Sequence, residues 1–234
     1  MDFLAVPIEI YEVMKSTNKV NIIATDGGAI QYKGSLGFVI ADKDGEILLS
    51  CYRQPSGNDP LSFRSEICAF LVAVRLVTLM AKYYDDILLL QCNERIQSKI
   101  QVYTDSLKST INKLEAYDQY PTAPLATVLD SEWDVLSALH RALKVVQNSP
   151  QDSLGVKSHQ DDMVFDKEAM PLNAYLNSEA DELATIGLKR LKRLQVKPKV
   201  PMDPETAIQF HINNRTITRD LKQTTREIIH LIPL

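Results

Sequence analysis

The chain has 234 residues, enough for one well-buried core or one domain with an appendage. A formal charge of −4 sets it apart from strongly basic nucleic-acid binders. Its 3 cysteines, odd in number and without CxxC spacing, argue against a disulfide framework or zinc site and fit a reducing intracellular compartment, cytoplasm or nucleus.

Residues 1–20 read as a lead-in, helical around Ile8–Met14, and Met1-Asp2-Phe3-Leu4 lacks the basic stretch of a signal peptide. Val20–Thr25 is a compact apolar run that predicts a buried strand, ending at Asp26-Gly27-Gly28. Leu36–Ala41 and Glu46–Tyr52 read as two further strands around the turn Asp42-Lys43-Asp44-Gly45. Three antiparallel strands therefore open the domain.

Ser62–Tyr84 has the spacing of a long helix, with Ile67, Phe70, Leu71, Val74 and Val77 on one face and Ser62 as its cap. Arg75 breaks its apolar run Ile67–Met80, so no stretch of the chain reads as membrane-spanning. Ile100–Thr104 predicts a strand ending at Asp105, followed by a short helix over Ser106–Tyr117. Glu132–Gln147 returns to helix, with Trp133, Leu136, Leu139 and Val146 inward. Ser153–Ser158 reads as a short strand before His159, and Ser178–Leu194 as the last strong helix. This order predicts an α/β fold, with a mixed sheet flanked by helices.

Val196–Pro204 reads as a linker, followed by a hairpin centred on Asn213-Asn214-Arg215 and a helix over Thr218–His230. The chain thus divides into a lead-in (1–20), a main domain (21–195) and a C-terminal extension (196–234).

Four acids stand in distinct local patterns: Asp26 and Asp105 at strand ends, Glu66 and Asp181 in the first turns of helices. Each alone has a structural explanation, because strand ends tolerate acids and helix N-termini favour them. Converging carboxylates would repel one another unless a cation neutralised them, and their hard oxygens suit Mg²⁺ or Mn²⁺.

The motifs Thr25-Asp26-Gly27-Gly28-Ala29, Ser62-Phe63-Arg64-Ser65-Glu66, Tyr103-Thr104-Asp105-Ser106 and Leu176–Ala184 occur in one order on matching elements. Together they resemble the ribonuclease H family over roughly Asn21 to Arg193. Val156-Lys157-Ser158-His159-Gln160-Asp161-Asp162 is similar to that family's histidine loop, and the loop and tail look most like the ribonuclease H domain of retroelement reverse-transcriptase polyproteins.

The resemblance implies a ribonuclease H-like fold, a five-stranded mixed sheet of three antiparallel strands and then parallel ones. It implies a metal-dependent endonuclease that hydrolyses the RNA strand of RNA–DNA hybrids by a two-metal-ion mechanism. Asp26, Glu66, Asp105 and Asp181 would hold two Mg²⁺ ions, with Mn²⁺ as a substitute, and His159 would assist proton movement or release. Gly27 and Gly28 would let backbone approach a ribose, and Ser62, Lys189, Arg190 and Arg193 would touch substrate. Reverse-transcriptase or other polyprotein domains would be its partners.

The chain departs from the family pattern in three ways. Ser62, Phe63 and Leu107 stand where amide side chains are common, and residues 117–129 lack a basic, tryptophan-bearing protrusion. Residues 81–99 and 160–177 are longer than in compact members, and the second stretch reads as a solvated loop. A catalytically weak domain that binds nucleic acid or protein is the alternative. An integrase-like site is disfavoured by Glu66 and by an aspartate, Asp181, as the last acid.

Overall fold

The computed structural model describes residues 20–31, 33–57, 60–88, 99–106, 110, 112–114, 131–146, 151–155, 170–193, 210–212 and 215–217. Strands β1 (Val20–Ile30), β2 (Lys33–Ala41) and β3 (Ile47–Arg53) form an antiparallel meander. Strand β4 (Lys99–Thr104) pairs parallel with β1, and β5 (Gln151–Gly155) pairs parallel with β4. The resulting open sheet has the order β3-β2-β1-β4-β5.

The β2–β3 turn is built by Asp42. Its Oδ1 accepts the backbone N–H groups of Asp44 and Glu46, both at 2.9 Å. Gly45 closes the turn at φ +90°, a conformation costly for any side-chain-bearing residue.

Period-2 alternation sends the residues of β1 to opposite faces. Ile23 joins Phe38, Ile40 and Val102 in a core covered by helix α1 (Ser62–Leu88) and helix α2 (Trp133–Val146). The first contributes Ile67, Phe70, Leu71 and Val74; the second contributes Val135, Leu136 and Leu139. Each such burial stabilises by roughly 1.5–3 kcal/mol before chain entropy is counted. Ile22, Ala24, Val39, Ala41 and Tyr103 face the other way, against Leu176 and Ala180 of helix α3 (Leu172–Arg193).

Two glycines set how closely the helices approach. A Cβ on Gly37 would stand 2.2 Å from the Ala180 carbonyl oxygen, so α3 lies directly on β2. A Cβ on Gly27 would stand 2.3 Å from the backbone nitrogen of Glu66, so the N-terminal part of α1 is pressed against β1.

Several expected boundaries move. β1 runs through Asp26 to Ile30, because pairing with β2 continues past it to Ile30↔Lys33, so Asp26 lies within the strand rather than at its end. Ser62 is the first helical residue of α1 rather than its cap, with the Ser65 N–H already bonded to the Leu61 carbonyl. Glu66 therefore opens the second turn. α3 begins at Leu172, six residues before the expected start at Ser178, which places Asp181 mid-helix and turns Leu172–Asn177 from expected loop into helix. α1 likewise extends to Leu88, into the first long segment.

A separate antiparallel pair, β6 (Phe210–Ile212) and β7 (Arg215–Ile217), forms where alternation predicts a hairpin. The lead-in, His159 with its loop, Leu107, the linker and the C-terminal helix lie outside the described residues. No helix among the described residues is long and apolar enough to cross a membrane.

Candidate active site

Four elements bring the acids to one region. β1 supplies Asp26 on its α3 face, and Asp105 follows the last residue of β4, the parallel neighbour. α1 delivers Glu66 through the Gly27 contact, one residue beyond Asp26. α3 supplies Asp181, which follows the buried Ala180 at the point where the helix crosses Gly37.

The electrostatics record the convergence. Burial raises the Asp26 carboxyl most, and the charge of Asp105 raises it further. The Gly27 N–H donates to its Oδ1 at 2.6 Å and pulls the other way, while the charge and hydrogen bond of Asp181 raise it again. Together these push the Asp26 carboxyl up to about 8. Burial also raises Glu66, the charge of Asp105 adds to it, and a hydrogen bond from Ser106 opposes both, leaving it at about 7.

Such mutual repulsion is the signature of carboxylates gathered without a counter-charge. The donor set, four hard oxygen side chains, suits a divalent cation such as Mg²⁺. Among the described residues, no group of three or more His, Cys, Asp or Glu side chains is arranged to hold a metal ion.

Of the other residues expected at the site, Gly27 is buried and its lack of a side chain is explained by the approach of α1. Gly28 is partly exposed, with Leu188 Cδ1 3.1 Å from where a Cβ would stand. Ser62 is exposed at the start of α1, beside Phe63, whose ring carries Lys113 Nζ 4.3 Å from its centroid. Lys189, Arg190 and Arg193 are exposed on the last turns of α3.

Two features had no assigned role in the sequence. Ser106 hydrogen-bonds Glu66 and lies 3.1 Å from Thr104 Oγ1, which ties the end of β4 to α1. Arg64, two residues before Glu66, is fully buried and donates to Ser56 O at 2.6 Å, to Glu132 Oε2 and to both oxygens of Asp134. Burial pulls its pKa down, but the Asp134 bonds and charge outweigh this and raise it above the ordinary arginine value. The visible signal was a charged residue inside the motif on the buried side of an amphipathic helix.

No family model and no curated protein matches the chain. Solved structures do. The prototype foamy virus protease–reverse transcriptase is 18% identical at a TM-score of 0.49, over 73% of this chain and 21% of that chain. The PFV RNase H domain in solution is 17% identical at 0.46, over 72% of this chain and 93% of that chain. RNase H1 from the halophilic archaeon Halobacterium salinarum is 15% identical at 0.46, over 73% and 98%. The chain spans about a fifth of the length of the foamy virus protease–reverse transcriptase.

The fold of the chain is ribonuclease H-like. Its own topology carries that statement: a three-stranded antiparallel meander continued by parallel strands in the order β3-β2-β1-β4-β5, with α1 and α2 on one face and α3 on the other.

Proposed function

We propose that the chain is a Mg²⁺-dependent endonuclease that hydrolyses the RNA strand of RNA–DNA hybrids. The observation that carries this reading is the mutual repulsion among Asp26, Glu66, Asp105 and Asp181, contributed by four separate elements of a ribonuclease H-like fold. Acids gathered for stability alone would be paired with cations, and the causes acting on Asp26 and Glu66 include no cationic side chain.

Asp26, Glu66, Asp105 and Asp181 would hold the metal. When bound, the metal activates water and stabilises the leaving oxygen of a phosphodiester. The rest falls to the chain. Ser106 orients the Glu66 carboxylate, and the Gly27 N–H fixes Oδ1 of Asp26. Gly27 and Gly28, next to Asp26, are where backbone could approach a ribose. His159 would assist proton movement near the leaving group.

The second reading is a catalytically weak domain that binds nucleic acid or protein. It is favoured by Phe63, whose ring is covered by Lys113 at a place where the family pattern has an amide. One assay separates the two. Labelled RNA–DNA hybrid, double-stranded RNA and double-stranded DNA are incubated with the protein, with and without Mg²⁺. Hybrid-only, Mg²⁺-dependent cleavage that is lost in Asp26→Asn supports the nuclease. Cleavage retained in Asp26→Asn overturns it.

A further inference from the structure

The segment after β4 meets the start of α1 at two points. Ser106 hydrogen-bonds Glu66, and Lys113 places its Nζ over the ring of Phe63, 4.3 Å from the centroid. Phe63 and Glu66 are three residues apart on α1, a spacing at which helical side chains are neighbours. The Thr110 N–H bonds the Ser106 carbonyl at 3.0 Å, and residues 112–114 are helical, with Leu114 buried in the core. Anchored at Ser106 and Leu114, the segment holds a lysine one helical turn of α1 away from an acid of the candidate site.

No carboxylate neutralises this lysine. Among the described residues Lys113 takes part in no ion pair, and it is half-exposed. The first turn of α1 holds no acid either. Its one charged residue, Arg64, is buried and already paired with Asp134. Leu61, 43% exposed, and the exposed Ser62 leave this end of the helix open to solvent.

A ring face attracts an ammonium group but accepts only part of its hydrogen-bonding capacity. Lys113 therefore keeps donors for a second partner, while the ring restrains its stem in advance. A preplaced ammonium is a point charge suited to a phosphate oxyanion, and it reads no base edge. A phosphate strand approaching four carboxylates is repelled by them, and a cation one turn from Glu66 offsets part of that charge.

We propose that Lys113, seated on Phe63, binds a backbone phosphate of the nucleic-acid strand that passes Glu66. Naming the ligand as nucleic acid rests on the reading above. Such a contact grips any duplex whatever its sequence, adding affinity rather than selectivity.

Fluorescence anisotropy is recorded in EDTA with labelled RNA–DNA hybrid, double-stranded RNA and double-stranded DNA over a range of KCl concentrations. Lys113→Met keeps an apolar stem over the ring and removes the charge, whereas Lys113→Arg keeps the charge. Lys43→Met, in the β2–β3 turn, removes the same charge elsewhere. Phe63→Leu removes the ring but keeps an apolar side chain, and it is also combined with Lys113→Met. Thermal melts check the fold of each, with Lys113→Gln in reserve should Lys113→Met melt early.

Lys113→Met is expected to bind hybrid about fivefold more weakly, with a salt slope reduced by about one, and to weaken every other duplex the wild type binds by a similar factor. Lys113→Arg and Lys43→Met should bind as the wild type does. Phe63→Leu should weaken binding about twofold alone and add nothing to Lys113→Met.

Equal affinities for Lys113→Met and Lys43→Met would overturn the contact. Weak binding by Lys113→Arg would overturn the role of the charge in favour of stem packing. Loss for the hybrid alone would overturn the phosphate assignment, and additive effects of Phe63→Leu and Lys113→Met would overturn the seat on the ring. If the wild type binds no duplex, the nuclease reading and this contact fail together; if it binds and Lys113→Met matches it, only the contact fails.

Discussion

The Arg64 guanidinium meets the Asp134 carboxylate at two points, Nη1 to Oδ1 at 2.9 Å and Nη2 to Oδ2 at 2.7 Å, with both side chains sealed from solvent. The pair joins the start of α1 to the start of α2, two residues from Glu66. Truncating the cation would leave two buried carboxylates, Asp134 and Glu132, without their guanidinium. Arg64→Met is therefore expected to cost about 3–5 kcal/mol in urea denaturation. Replacing both partners, as Arg64→Met/Asp134→Leu, should recover a substantial part, because fewer charges stay buried. Recovery of nothing would show that the ion pair is not the source of the loss.

Gly27→Ala tests how Glu66 is delivered. The new methyl would stand 2.3 Å from the backbone of Ser65 and Glu66, and backbone cannot swing aside as a side chain does. Overpacking of this kind costs about 1–3 kcal/mol and would displace Glu66 from Asp26. Gly28→Ala meets only the flexible tip of Leu188, at 3.1 Å, and should cost less in both stability and cleavage. Equal effects at the two positions would contradict the contact.

The raised Asp26 carboxyl gives a pH prediction with a definite sign. Its folded value, about 8, exceeds the ordinary 3.8, so the folded state holds the proton more tightly than the unfolded state. Without divalent metal, the stability linked to this group is fully present below about pH 4 and is lost as pH rises toward 8. The slope is on the order of 1.4 kcal/mol per pH unit where Asp26 alone titrates, and Glu66, raised in the same direction, adds to the fall. Asp26→Asn should flatten this slope and be more stable than wild type at pH 8 in EDTA. Parallel stability–pH curves for the two proteins would refute the raised Asp26 carboxyl.

Divalent metal should reverse the effect. Mn²⁺ or Mg²⁺ competes with the Asp26 proton, so the wild type should gain thermal stability on adding either ion, more at pH 8 than at pH 6. Asp26→Asn and Asp105→Asn should gain little, and both should lose cleavage by a factor of at least about 10³. A wild-type melting temperature indifferent to both ions would remove the metal site.

Much of the fold was legible in the sequence because its signals are local. The β-branched run at Ile22–Thr25, the Asp42–Gly45 turn and the apolar spacing from Ile67 to Val77 each declare an element with little help from the rest of the chain. Boundaries set by pairing were not local. β1 continues through Asp26-Gly27-Gly28 because Gly37, Leu36 and Ser35 lie opposite, a partnership that no local pattern displays. The early start of α3 escaped for a similar reason: Leu176 packs on the sheet with Ile22, Ala24 and Val39, a partnership that its own neighbours in sequence do not display.

At the site, the acids were legible as motifs, while the way they are supported was not. Arg64 reads as one more charge until Asp134, seventy residues away, is brought to it. Tyr52 reads as one more aromatic of an edge strand until Arg190 of α3 is found 3.3 Å from its hydroxyl.

The seating of α3 on β2, through Gly37 of the strand and Gly187 of the helix, also limits how this chain can vary. Inserting or deleting a single residue between Asp181 and Arg190 would swing one of them about 100° around the helix axis and out of its place. Four residues, close to a whole turn, would preserve both directions and lengthen the separation by about 6 Å. The spacing between Asp181 and Arg190 can therefore be altered only in steps of roughly one helical turn.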